Sequence, residues 1–140
     1  MRTNQKNITV AAMFAFFIFN AFAMASPAGS TYSLTATKNF PGASGSAVIG
    51  DTHIDVNAVG LKPNSVYSLW FVNMQPKKQE IGAGQAPFMF KTDAKGHGTY
   101  AAPLKESPHG AWQMLMIVEH PNGDPMDMKN MIGALTADLG

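Results

Sequence analysis

Met126, Met128 and Met131, with His120 a few residues upstream, are the side chains of this sequence whose types and spacing suit coordination chemistry. Thioether sulfur is a soft, uncharged donor that favours Cu(I) over Zn(II) or Mg(II), and an imidazole nitrogen could complete such a set. Residues two apart in an extended segment lie about 6.6 Å apart along the chain, so the sulfurs of Met126 and Met128 could reach one ion. Cu(I) is therefore the cofactor to expect if there is one, with Met126, Met128, Met131 and His120 as ligands. The competing expectation is that the chain carries no cofactor and these methionines only pack over an edge of the fold.

The surrounding stretch, residues 111–131 (AWQMLMIVEHPNGDPMDMKNM), holds five methionines in a chain without cysteine. As a strand it would point Trp112, Met114, Met116, Val118 and His120 one way and Gln113, Leu115, Ile117 and Glu119 the other. Both sets are apolar in the middle. A central strand is expected, with Met114 and Met116 filling the core and the other face covered by a loop or a partner chain.

Other chemistry finds little support. Gly42-Ala43-Ser44-Gly45-Ser46 misses the G-x-S-x-G nucleophile elbow by its last residue, and that elbow belongs to a strand-to-helix turn. Ser107 and His109 share one turn, where residues two apart rarely align for proton transfer. No G-x-x-x-x-G-K-[ST] and no H-E-x-x-H occurs. Asp124, Asp127 and Asn130 do not match the spacing of a calcium loop. The chain is not expected to be an enzyme.

The positioning elements begin after an export signal. Arg2 and Lys6 precede a twelve-residue apolar run at residues 8–19, and small residues follow at Ala23 and Ala25, the pattern of a signal peptide with cleavage after Ala25. A run of this length is short of the roughly 20 residues that span a bilayer. No membrane anchor is expected after cleavage, and the remainder should be periplasmic or secreted. Removing Arg2 and Lys6 takes Lys+Arg from 10 to 8 against 9 Asp+Glu, so the formal charge falls from +1 to about −1. Arg2 is also the only arginine, which leaves no bidentate fork for phosphate and makes nucleic acid an unexpected partner. A protein partner or self-association fits better.

Residues 26–140 are expected to form one domain that relies on packing, since it has no cysteine to bridge. Its pattern is one of short strands: residues 32–38, 46–49, 53–59, 66–72, 88–92, 98–102, 112–119 and 132–139. Residues 53–59 alternate most clearly, with Ile54, Val56 and Ala58 on one side. Asp93 to Gly96 punctuate residues 88–102 as a hairpin. Residues 74–87 (MQPKKQEIGAGQAP) read as a long surface loop, mobile or partner-binding. The fold class expected is all-β, an antiparallel immunoglobulin-like sandwich of about eight short strands.

Two resemblances sharpen this reading. The run GLKPNSVY at residues 60–67 resembles the tyrosine corner of immunoglobulin-like and fibronectin-like domains, which implies that the Tyr67 phenol oxygen bonds to backbone a few residues upstream. Residues 59–139 also resemble the C-terminal extracytoplasmic β-domain of the anti-sigma-K factor family. Tyr67, Leu69 and Trp70 match its Tyr-x-Leu-Trp strand, and Phe90, Asp93 and Gly96 its Phe-x-x-Asp-x-x-Gly element. Val118, Glu119, Gly123 and Pro125 match part of its last loop, with His120 where that family has proline. The sequence shows neither the anti-sigma domain nor the membrane helix of that family, so the resemblance implies fold and compartment only. The spacing M-x-M-x-x-M is separately similar to the methionine motifs of extracytoplasmic copper-handling proteins.

Overall fold

The computed structural model describes residues 29–140. The expected signal peptide, residues 1–25, lies outside them. Among the described residues there are nine strands and no helix: β1 (Ser30–Ala36), β2 (Ser44–Ile49), β3 (His53–Val59), β4 (Val66–Asn73), β5 (Gln79–Gly82), β6 (Met89–Lys91), β7 (Gly98–Pro103), β8 (Met114–His120) and β9 (Ile132–Asp138). They pair antiparallel in the order β5-β4-β8-β9-β1-β2-β3-β7, with β6 also on β4. The all-β, antiparallel class is as expected, and the hydrogen bonding runs continuously through one curled sheet.

The curl is made at β1. Its first residues, Ser30 to Leu34, pair with β2, while Thr35 and Ala36 pair with β9. One strand thus serves both halves of the sheet, whose inner faces close on a common core. Leu34, Ala47, Ile49, Ile54 and Val56 come from one half, and Tyr67, Leu69, Phe71, Leu115, Ile117 and Leu135 from the other. Period-2 alternation accounts for this, since β3 buries Ile54, Val56 and Ala58 and turns Asn57 and Val59 outward.

Three expectations need correction. There are nine strands rather than about eight, because residues 74–87 are not a structureless loop. Gln79 to Gly82 double back as β5 and pair with Trp70 to Asn73 along the edge of β4. Second, the turn at residues 93–97 forms but joins no hairpin. The Asp93 carboxylate accepts the amides of Lys95 and His97, and Gly96 takes φ 78°, yet β6 pairs with β4 and β7 with β3. Turn residues fix a change of direction, whereas pairing depends on which edge lies beside each strand. Here Phe90 covers Gly98 so closely that a Cβ there would come within 2.2 Å of its ring. Third, Met114 and Met116 do not fill the core. On β8 it is Leu115 and Ile117 that are fully buried in it, and both methionines are half-buried on the outer face. An apolar pattern on both faces carries no label for inside and outside.

Candidate functional site

The outer face of β4 and β8 gathers the residues that the sequence singled out. In antiparallel pairing, directly opposed residues project to the same side. The register sets Val66 against His120, Ser68 against Val118, Trp70 against Met116 and Val72 against Met114. Met89 of β6 joins the same face opposite Ser68. Trp70, Met89, Met114 and Met116 are half-buried, while Ser68, Val118 and His120 are 0%, 3% and 2% exposed.

His120 is held at both ring nitrogens. Nδ1 lies 3.2 Å from the Asp127 carbonyl oxygen and Nε2 2.6 Å from Ser68 Oγ, while Trp70 Nε1–H donates to that same Oγ at 2.8 Å. A carbonyl can only accept, so Nδ1 carries a proton and donates to Asp127. Because the indole also only donates, Ser68 Oγ accepts from Trp70, and in the tautomer with its proton on Nδ1 the imidazole accepts the Ser68 hydroxyl at Nε2. The result is a one-way chain from Trp70 through Ser68 and His120 to the Asp127 backbone. It ties the segment after β8 down onto the sheet, and it leaves the buried Ser68 hydroxyl fully engaged.

That segment is ordered by its own polar side chains. The Asp127 carboxylate accepts from the amides of Lys129 and Asn130 and from the side-chain amides of Asn130 and Asn122. These bonds, the Asn130 side chain first, then the Lys129 amide, hold its carboxyl below the usual carboxylate range. Asp124 accepts the Met126 amide, and Gly123 takes φ 75°. On this scaffold Met126 is 70% exposed and Met128 37%, with Met131 half-buried in a shallow depression beside Pro121 and Asn130. The structure thus brings the methionine segment onto the face where His120 ends β8, and it engages the histidine in protein hydrogen bonds. Among the described residues no group of three His, Cys, Asp or Glu side chains is placed to hold a metal, so thioethers are the donors to consider.

Sequence reasoning missed Ser68 and Met89. Both sit in strands where neighbouring positions are apolar, and only the register shows that Ser68 lies between Trp70 and His120. The side chains of Ser107 and His109 turn to different partners: the Ser107 hydroxyl donates to Asp51, while His109 Nε2 lies 3.0 Å from the Ile49 carbonyl oxygen. His53 lies 3.0 Å from Asp55 on the surface.

Comparison with protein-family models, with curated proteins and with solved structures finds no match to this chain.

Proposed function

We propose that this chain is an exported, non-enzymatic β-sandwich module of immunoglobulin-like type that binds a protein partner through the outer face of β4 and β8. The single observation that carries this reading is the composition of that face: Trp70, Met89, Met114 and Met116 are half-buried on it, and Met126, 70% exposed, sits on the segment packed against it. Methionine and aromatic residues are enriched in protein interfaces, and flexible thioethers adapt to a partner's shape. The sandwich reading is supported by two sheet halves that share one core and are joined at β1. Export is supported by the signal pattern at residues 1–25 and by the resemblance to an extracytoplasmic anti-sigma-K domain.

Photo-crosslinking in the exporting cell tests the partner. A crosslinker at Met116 or Met126 should give one discrete protein adduct, a second copy of the chain included, and one at exposed Asn57 on β3 should not. Adducts at all three positions alike, or at none, would overturn the reading.

A second reading, a periplasmic Cu(I)-binding protein, is favoured by the exposure of Met126 and Met128. Its ligands would be Met126, Met128 and Met131, with His120 joining as a fourth only by giving up Ser68 or the Asp127 carbonyl.

A further inference from the structure

A cavity of about 290 Å³ opens where the chain after β5 faces the chain after β7. Three aromatic rings line it, and each comes from a different segment. Phe71 stands on the core face of β4, Phe88 follows β5, and Trp112 precedes β8; Ile81, Leu104 and Pro108 complete the apolar lining. The volume lies at the small end of ligand pockets, which run from roughly 300 to 1,000 Å³.

The backbone around it is built to keep the cavity open. Phe88 has φ 59°, a left-handed conformation that bulky residues rarely adopt, and such outliers persist only where the surroundings over-determine them. Its amide donates to Gln85 at 2.7 Å and its carbonyl accepts Leu69 at 2.9 Å, so both sides of the peptide are held. The ring then lies directly on Gly82, where a Cβ would come within 2.2 Å of it. Gly84 admits β7 in the same way, since its Cβ would meet Tyr100 and Ala102 at 2.4 and 2.6 Å. The Tyr100 hydroxyl donates to the Ala83 carbonyl at 2.6 Å and closes the seam between the two ends of the sheet. The wall is therefore pinned to both β4 and β7 before any ligand arrives.

Lys105 and Glu106 are the charged residues that line the cavity, both exposed and adjacent in sequence. Opposite signs side by side leave no net charge to select an ion, and a charged ligand would lose its hydration against aromatic walls without a buried counter-charge. We propose that this cavity binds a small uncharged aromatic molecule.

The probe is p-cresol, with benzoate as the charged analogue, titrated into the isotope-labelled exported protein and followed by amide and indole N–H shifts. Saturable shifts at Gly82, Gly84 and the Trp112 indole are expected with p-cresol, with benzoate at least tenfold weaker. Leu104→Trp fills the cavity and should weaken p-cresol at least tenfold while the remaining spectrum keeps its dispersion. Should that variant fail to fold, Glu106→Trp, at an exposed position, should obstruct entry with the same loss. Absence of saturable shifts with p-cresol, benzoate binding as tightly, or unchanged p-cresol affinity in the folded variants would each overturn the proposal.

Discussion

Tyr67 shows how one polar atom can organise a corner of the core. Its side chain is fully buried, stacks on Phe90 with ring centroids 5.5 Å apart, and accepts the Lys62 amide at 3.0 Å. The resemblance of residues 60–67 to a tyrosine corner implied such a bond to upstream backbone. The same Lys62 accepts the Thr92 hydroxyl through its carbonyl and sends its ammonium to within 3.3 Å of buried Glu119 Oε2, an ionic contact out of line for a hydrogen bond. Tyr67→Phe keeps the ring but leaves the Lys62 amide unpartnered, and should cost about 1–3 kcal/mol in chemical denaturation. A loss under about 0.5 kcal/mol, the scatter of surface substitutions, would show that the bond contributes nothing. Burial pushes the Tyr67 phenol up to about 12, the Lys62 amide opposing and the Glu119 charge adding to the rise. A folded value above the ordinary 10 means that the neutral phenol's contribution is intact below pH 10 and is lost as pH climbs through about 12. Tyrosinate absorbance should therefore show a late step that is smaller in Tyr67→Phe, the remainder coming from Tyr100, whose phenol burial also raises.

At the scale of elements, β8 and the segment after it divide the methionines into two kinds. Met114 and Met116 are fixed by strand pairing, so their place follows from register with Trp70 and Val72. Met126, Met128 and Met131 instead ride on a segment ordered by Asp127 and by the His120 bond to its carbonyl. Cu(I) binding, if the second reading holds, belongs to this segment. Replacing Met126 and Met128 together with leucine should then abolish Cu(I) competition against a chelator under anaerobic conditions. Stability should stay within about 1.5 kcal/mol, because leucine conserves volume and both side chains are exposed. An unchanged Cu(I) affinity, or none in the parent, would remove the copper reading and leave partner binding in place.

For the whole molecule, export is the property that the described residues do not touch, and it has its own measurement. The exported chain should have the intact mass of residues 26–140, with Ser26 as its first residue; a mature form still carrying Met1 would refute the signal peptide. How much of the rest was legible follows from the range of each interaction. Alternation in residues 53–59 and the turn chemistry of Asp93 and Gly96 are local, so the sequence by itself determined the all-β class, the positions of most strands and the Tyr67 corner. It also showed which side chains carry soft donor atoms, since donor type is a property of the side chain alone. Pairing is non-local, and only the tertiary structure decided that β6 joins β4 while β7 joins β3, and that residues 79–82 extend the sheet edge. The faces of β8 were undecidable from sequence because both are apolar, and only the tertiary packing put Leu115 and Ile117 in the core. That packing put Met114 and Met116 outside, beside Trp70, and brought Ser68 within 2.6 Å of His120, residues 52 positions apart that no short-range pattern could connect.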